Sequence, residues 1–170
     1  MDERARWNER YRAGSGPTRV NGRLREYLPL LTRGRALALA CGLGQNAPLL
    51  HEWDLTLVDL SEEALSRATG QCVQADAAYL PFPPASFDTI VNTSFFDPRV
   101  SFHDLLRPGG TVFFETYTLA DAKYRPDFCP AHRFDRARIP EVFRGLEILL
   151  SIETDDGRRV YASVIARKPG

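Results

Sequence analysis

The chain has 170 residues, and its 22 Lys and Arg balance its 22 Asp and Glu, so the formal net charge is zero. This length allows one domain with a sizeable core and excludes two full-sized domains. A content of 44% hydrophobic and 26% charged residues excludes disordered and fibrous proteins, and the neutral charge argues against a dedicated nucleic-acid or membrane-surface binder.

The N-terminal segment is basic. Residues 1–35 carry nine Arg and four acidic residues, so the zero net charge is a cancellation between this segment and an acidic remainder. The segment alternates charges and has no apolar stretch typical of an export signal or a membrane span. We expect residues 1–33 to form a helical cap. The three cysteines are widely spaced, which predicts free thiols and a cytoplasmic protein without a membrane anchor.

Five short apolar runs follow, and they alternate with polar segments. Ser61 is a good helix N-cap after the second run, and acidic residues follow it in the first turn. Continuous apolar strands separated by helical segments indicate a parallel sheet that is covered on both faces. The runs comprise residues 36–40, 55–58, 71–75, 87–91 and 111–114.

The C-terminal part has a different pattern. Residues 146–152 and 160–165 are β-rich and are joined by a segment containing Asp-Gly, which predicts a hairpin. Residues 135–144 are predicted to form a helix, and residues 117–134, with two prolines and several aromatics, to form a loop or lid. The expected fold is a Rossmann-like, doubly wound, mostly parallel seven-stranded sheet with a C-terminal antiparallel hairpin, in a single domain whose core is 34–170.

The functional residues are expected at the carboxyl ends of the strands, where open α/β sheets bind ligands. Gly42 and Gly44 follow the first run and let a ligand approach the backbone. Asp59 ends the second run, 17 residues beyond Gly42, about the interval at which a carboxylate reaches an adenosine ribose. Ser61 already supplies the N-cap of the next helix, which favours the ligand role for Asp59. Asp76 ends the third run. Together these residues indicate a site that binds adenosine.

These strings resemble the class I S-adenosylmethionine-dependent methyltransferases. LALACGLGQN is similar to the first motif of that family and LVDLS to its ribose-binding motif. ADAAYLPFPPASFDTIV is similar to the adenine-binding loop with the fourth strand, and LLRPGGTVFFETY to the segment that enters the fifth strand. The opening WNERY and the ending VIARKP resemble the small methyltransferases grouped with tellurite-resistance proteins. The resemblance implies S-adenosyl-L-methionine as the cofactor.

The resemblance also implies which residues bind the cofactor. Ala38 stands where the family often has an acidic residue, so another group has to orient the amino group of the cofactor. Arg10 and Arg12 are hypothesised to meet its carboxylate, and Trp7 and Tyr11 to fold over it. The full set of expected cofactor-binding residues is Trp7, Tyr11, Arg12, Ala40, Gly42, Gly44, Asn46, Asp59, Leu60, Asp76, Ala77 and Asn92.

The implied reaction is an in-line methyl transfer to a small-molecule acceptor. No catalytic base is identified, and an ionised thiol, selenol or oxyanion would need none, because positioning alone supplies much of the rate. The residues expected near the acceptor are Phe95, Tyr117, Tyr124 and His132. Cys129 and His132 have the spacing of a metal pair, but no second pair accompanies them, so no metal site is predicted. A monomer or homodimer that binds neither nucleic acid nor membrane is expected.

Two other functions fit parts of the sequence. Gly42, Gly44 and Ala47 match G-x-G-x-x-A, so an NAD(P)-binding oxidoreductase is one alternative. The chain is too short for the second mononucleotide-binding half of such an enzyme, and its terminal hairpin has no place there. The other alternative is a cofactor-binding subunit without catalysis that supports a partner.

Overall fold

The computed structural model describes residues 2–170 and contains one seven-stranded sheet of order β3-β2-β1-β4-β5-β7-β6. The doubly wound, mostly parallel fold with a C-terminal antiparallel hairpin is therefore confirmed. The strands are β1 (Arg35–Leu39), β2 (Asp54–Asp59), β3 (Gln71–Gln74), β4 (Phe87–Thr93), β5 (Leu106–Tyr117), β6 (Glu147–Asp155) and β7 (Val160–Arg167).

The strand directions bring five strand ends to one edge of the sheet. β1 pairs in parallel with β2 and β4, β2 with β3, and β4 with β5. β7 is antiparallel to both of its neighbours, β5 and β6. The carboxyl ends of β1 to β5 consequently lie along the same edge, as the sequence-based argument about strand ends requires.

The fifth strand begins earlier than its apolar run suggests. Leu106 already pairs with Phe87 of β4, and a register shift separates this pair from the pair Thr89–Thr111. The Pro-Gly-Gly sequence lies in this bulge. Gly109 has φ +79°, and a Cβ on Gly110 would lie 2.9 Å from the carbonyl oxygen of Arg107, so the bulge favours glycine at both positions.

The helices between the strands are short. The α-helices are α1 (Glu3–Arg12), α2 (Gly22–Tyr27), α3 (Glu62–Leu65), α4 (Phe102–Leu105) and α5 (Ile139–Val142). The connection from β1 to β2 contains only a 3₁₀ turn, Ala47–Leu50. The helix predicted over 135–144 is divided into a 3₁₀ turn, Arg136–Arg138, and the single turn of α5. Pro140 lies in the first turn of α5 and has no N–H to donate to a preceding turn.

Two apolar layers cover the sheet. One layer contains an aromatic cluster in which Phe114 of β5 contacts Phe96, Phe102, Phe134 and Phe143. The other layer packs side chains such as Leu24 of α2 and Trp53 against Phe113 and Ile165. Phe113 and Phe114 are adjacent and point to opposite layers, which explains why the fifth run is continuously apolar.

The segment 117–134 is joined to the sheet at both ends. The amide of Phe134 donates to the carbonyl of Tyr117 at 2.7 Å, and the Phe134 ring is fully buried. Two 3₁₀ turns, Leu119–Lys123 and Pro130–His132, lie between these ends. Among residues 2–170, no helix is long and apolar enough to cross a membrane. The division into a cap, 1–33, and a core, 34–170, stays a prediction.

Candidate functional site

The loop after β1 approaches the end of β2 closely. Gly42 has φ +55° and Gly44 has φ +73°, and Ala40, at the start of the loop, has φ +49°. The amide of Gly42 donates to Oδ2 of Asp59 at 2.8 Å. A Cβ on Gly42 would lie 2.9 Å from the hydroxyl oxygen of Tyr11. Backbone conformation and available space therefore both favour glycine at position 42.

Asp59 is buried and fixes two backbone amides. Its Oδ2 accepts from Gly42, and its Oδ1 accepts from the amide of Ser61 at 2.9 Å. Burial raises the pKa of the Asp59 carboxyl, although these amide bonds work in the opposite direction. Each carboxylate oxygen has a second lone pair, so the group can still accept hydrogen bonds from a ligand.

Helix α1 packs over this loop. Ser61 Oγ donates to Oδ1 of the buried Asn8 at 2.6 Å, and Asn8 Nδ2 donates to Oε1 of Glu62 at 3.2 Å. These bonds connect α1 to the start of α3. One turn further along, α1 buries Tyr11 beside the glycine loop. Burial, together with the nearby Asp59 carboxyl, raises the pKa of the Tyr11 hydroxyl above its ordinary value.

One buried polar atom faces the loop without a partner. Within residues 2–170, Oε1 of Gln45 has no hydrogen-bond donor. This oxygen lies 3.7 Å from the position that a Cβ on Gly42 would occupy. An unsatisfied buried acceptor is costly in a folded protein. A ligand with an N–H group at this position would satisfy it.

A second set of polar residues extends from the loop to β5. Oδ1 of the buried Asn46 accepts from the amide of Asn21 at 2.8 Å, and Asn46 Nδ2 donates to Oγ1 of Thr93 at 3.2 Å. Asn21 Nδ2 in turn donates to Oε1 of Glu115 at 2.6 Å, and Ser163 Oγ donates to Oε2 of Glu115 at 2.7 Å. Burial raises the pKa of the Glu115 carboxyl. These bonds connect the glycine loop to the carboxyl end of β5.

A cavity of about 550 Å³ opens beside this set of residues. It is lined by Ser94, Glu115 and Tyr117 at the ends of β4 and β5, and by Arg23 of α2 and Tyr161 of β7. Its volume lies within the usual range for small-molecule sites. We refer to it below as the β5 cavity.

Four further residues that were predicted to bind the cofactor are engaged in hydrogen bonds or packing near the strand ends. Oδ1 of Asp76 accepts from the amide of Ala78 at 2.8 Å, and the half-buried Ala77 packs against the core. The carbonyl of Leu60 accepts from Gln74 Nε2 at 3.2 Å. Asn92 is buried, and its side-chain Nδ2 donates to the carbonyl of Phe95 at 2.7 Å. These residues lie at or just beyond the ends of β2, β3 and β4.

The remaining predicted residues are spread over the molecule. Trp7 is half-buried and stacks on Tyr11, whereas Arg12 is exposed and its Nε lies 3.4 Å from Oε2 of Glu63. The half-buried Phe95 packs against the core. The Tyr124 hydroxyl donates to Asp155 at 2.9 Å, and the half-buried His132 lies beside Phe128. Of the four predicted acceptor residues, Tyr117 alone lines the β5 cavity.

Comparison with known proteins identifies this architecture. A family model described as a methyltransferase domain matches residues 37–114, which extend from β1 into β5 and include the glycine loop and Asp59. Residues 37–114 are thus similar to a methyltransferase domain, in agreement with the resemblance of the sequence motifs to the class I S-adenosylmethionine-dependent methyltransferases. The cofactor that the domain implies is S-adenosylmethionine.

One curated methyltransferase is similar to most of this chain. The 27-O-demethylrifamycin SV methyltransferase of Amycolatopsis mediterranei (strain S699) is 28% identical over 158 residues, which cover 80% of this chain and 56% of that protein. The chain thus spans about half the length of this curated relative.

Solved structures share the fold. One similar structure comes from a study of the conversion of a disulfide bond into a thioacetal group during echinomycin biosynthesis. It has a TM-score of 0.78 at 18% identity, and the match covers 98% of this chain and 93% of the other. An S-adenosylmethionine-dependent methyltransferase from Mesorhizobium loti has a TM-score of 0.71 at 22% identity, covering 86% of this chain and 96% of the other.

The residues of the methyltransferase domain fit its cofactor. The positive φ angles of Gly42 and Gly44 leave backbone space that a side chain would fill. Gln45 Oε1 is the unsatisfied acceptor that an amino group requires, and Asp59 retains lone pairs for ribose hydroxyls. Gln45, Asn8, Asn21 and Glu115 are absent from the residues predicted from the sequence. Glu115 ends an apolar run, as Asp59 does, so the same strand-end rule identifies it.

Proposed function

We propose that this protein transfers a methyl group from S-adenosylmethionine to a small-molecule acceptor. The observation that carries the proposal is the joining of the β1 and β2 ends by Gly42 and Asp59, beside the partnerless oxygen of Gln45. This arrangement offers a carboxylate for the ribose hydroxyls and an acceptor for the amino group within one loop. When bound, the cofactor supplies a methyl group activated by a sulfonium.

The residues of this chain would bind and orient the cofactor and would exclude water from it. Asp59 would hold the ribose, and the glycine loop would bring its backbone amides to the amino-acid part of the cofactor. Tyr11 and Trp7 on α1 would cover the loop, because Asn8 holds this helix on α3. Such positioning contributes about 7–11 kcal/mol to barrier reduction in well-oriented reactions, so the reaction does not require a strong catalytic base.

The β5 cavity would receive the acceptor. It lies at the ends of β4 and β5, next to the residues that connect Asn46 of the glycine loop with Glu115. Its volume of about 550 Å³ suits a small molecule. The name of the Amycolatopsis relative, a 27-O-demethylrifamycin SV methyltransferase, agrees with a small-molecule acceptor.

The proposal also covers partners and location. We propose a cytoplasmic monomer or homodimer that does not bind nucleic acid. The three cysteines are free, and two of them, Cys72 and Cys129, are exposed, which agrees with a reducing compartment. The resemblance to tellurite-resistance methyltransferases motivates tellurite and selenite as test acceptors.

A labelled-methyl assay tests the function. The protein is incubated with S-adenosylmethionine carrying a ¹³C methyl group and with separate pools of thiols, amines, small carboxylates, selenite, tellurite and RNA, and products are detected by mass spectrometry. Label in a small molecule supports the proposal. Label in RNA alone contradicts the small-molecule acceptor, and no turnover on any pool favours a non-catalytic subunit.

A further inference from the structure

The walls of the β5 cavity carry an excess of negative charge. Three carboxylates line it, those of Glu26, Glu115 and Asp156, together with two guanidinium groups, those of Arg23 and Arg159. Arg159 is already neutralised, because its guanidinium forms a bidentate ion pair with the buried Asp121 at distances of 2.7 to 3.1 Å. Arg23 is thus the only lining cation that lacks a carboxylate partner among residues 2–170.

Glu115 is the carboxylate that is placed to contact a ligand. It is half-buried at the end of β5, and its two oxygens accept from Asn21 and Ser163. Both of these donors are neutral, and within residues 2–170 no lysine or arginine forms an ion pair with Glu115, although the charge of Arg23 in the same cavity acts on it. A half-buried carboxylate that no cation contacts directly binds a cationic ligand favourably. The donors fix its orientation while each oxygen retains a lone pair.

The same charges disfavour an anionic acceptor. A thiolate or a carboxylate beside Glu115 would be repelled by the negative charge at short range and low dielectric. A neutral alcohol would gain a hydrogen bond from Glu115 but no charge interaction. An amine gains both, since its N–H donates to the carboxylate and its protonated form is attracted by the walls.

We propose that the β5 cavity is the acceptor site and that it selects a small primary or secondary amine, whose N–H donates to Glu115. This inference rests on the proposed methyl transfer and adds the substrate class to it. Glu115 lies next to Asn21, whose backbone amide donates to Asn46 of the glycine loop. The amine nitrogen would thereby be held between the carboxylate and the end of the cofactor site.

Methyl transfer to an amine in this cavity needs no further reactant. An ammonium substrate first releases a proton to water. The lone pair of the neutral nitrogen then forms the N–CH₃ bond while the S–CH₃ bond breaks and its electron pair passes to sulfur. The positive charge moves to nitrogen, and the product leaves as an N-methylammonium ion. Glu115 stabilises the charge that develops on nitrogen, which is the arrangement that electrostatic catalysis requires.

Binding of three probes of similar shape and different charge tests the inference. Phenethylamine, 2-phenylethanol and 3-phenylpropionate are titrated by calorimetry into the protein saturated with S-adenosylhomocysteine. We expect phenethylamine to bind at least about tenfold more tightly than either of the other two. Glu115→Gln should remove this preference, whereas Glu153→Gln, an exposed carboxylate of β6, should not.

Arg23→Gln is the second variant, which serves if Glu115→Gln does not fold. Removing this cation should strengthen phenethylamine binding and weaken 3-phenylpropionate binding. Equal or tighter binding of the carboxylate or the alcohol, no measurable binding of phenethylamine at millimolar concentration, or an unchanged preference in both variants overturns the inference. S-adenosylhomocysteine is titrated alone in parallel. If it does not bind the wild-type protein, the proposed function fails, whereas its binding without amine preference refutes the amine alone.

Discussion

The amide of Gly42 donates to Oδ2 of Asp59 at 2.8 Å and so joins the ends of two neighbouring parallel strands. The bond fixes the glycine loop against the carboxylate that we assign to the ribose. Because Asp59 also accepts from Ser61, one buried side chain sets the positions of both the loop and the start of α3. The proposed cofactor site is therefore formed by the fold itself at the ends of β1 and β2.

Substitution of Gly42 should affect both stability and cofactor binding. Gly42→Ala places a Cβ at φ +55° and within 2.9 Å of the Tyr11 hydroxyl. We expect a loss of about 1–3 kcal/mol in the free energy of unfolding, from backbone strain and the close contact, and weaker binding of S-adenosylhomocysteine. Gly42→Val should abolish that binding in a protein that still folds. Urea denaturation and calorimetry measure the two effects.

A matched variant and a double variant separate strain from contact. Gly109→Ala has a similar φ of +79° but no atom within 4 Å of the added Cβ, so it should lose stability and keep cofactor affinity. Gly42→Ala combined with Tyr11→Phe should cost less than the sum of the single changes, because the phenol oxygen is absent. Strict additivity would show that Tyr11 does not contact the loop.

Much of this site could be predicted from the sequence because parallel strands end at one edge. Gly42, Gly44 and Asp59 follow apolar runs, so their convergence required only the strand order. Asn8 could not be assigned in this way, since its partners Ser61 and Glu62 are more than 50 residues away and depend on how α1 packs. Glu115 also follows an apolar run, but its role could not be predicted before the cavity beside it was known.

The secondary structure could also be predicted from the sequence only in part. Apolar runs located all seven strands, yet the pairing of Leu106 with Phe87 extends β5 through a Pro-Gly-Gly bulge, which a local pattern interprets as a turn. Helix lengths were overestimated for a physical reason. Between β1 and β2, residues 40–53 form only the 3₁₀ turn Ala47–Leu50, and Pro140 lies where the helix predicted near the C-terminus is divided.

The attachment of α1 should depend on Asn8. Asn8→Ala removes the acceptor of Ser61 Oγ and the donor to Glu62. Loss of buried hydrogen bonds of this kind costs about 1–3 kcal/mol. Hydrogen exchange measured by mass spectrometry should show faster exchange in residues 3–12, together with weaker binding of S-adenosylhomocysteine. Glu9→Ala, an exposed change on the same helix, is the control, and equal exchange in both variants would contradict the role of Asn8.

The ion pair of Asp121 and Arg159 should make stability depend on pH. Burial raises the pKa of the Asp121 carboxyl, but hydrogen bonds from Arg159 and the Val160 amide outweigh it and leave the pKa below its ordinary value. The carboxylate thus stabilises the fold above the unfolded-state pKa of about 4. This stabilisation is lost as the pH falls through the lower folded-state pKa.

Asp121→Asn tests this dependence. The variant leaves a partly buried guanidinium without its counter-charge, so we expect it to be about 3–5 kcal/mol less stable near neutral pH. The difference from the wild type should shrink as the pH is lowered below about 4. Asp155→Asn, which removes an exposed partner of Lys123, should have a much smaller effect. A pH-independent difference in urea denaturation would refute the assignment.

The central claim is that Asp59 and the glycine loop bind S-adenosylmethionine, and titration calorimetry with S-adenosylhomocysteine and NADH tests it most directly. The wild-type protein should bind S-adenosylhomocysteine and not NADH. Asp59→Ala should weaken that binding by about 1–3 kcal/mol through loss of charged hydrogen bonds, while Asp54→Ala, an exposed change on the same strand, should leave it unchanged. Binding of NADH instead, or unchanged affinity in Asp59→Ala, would contradict the account.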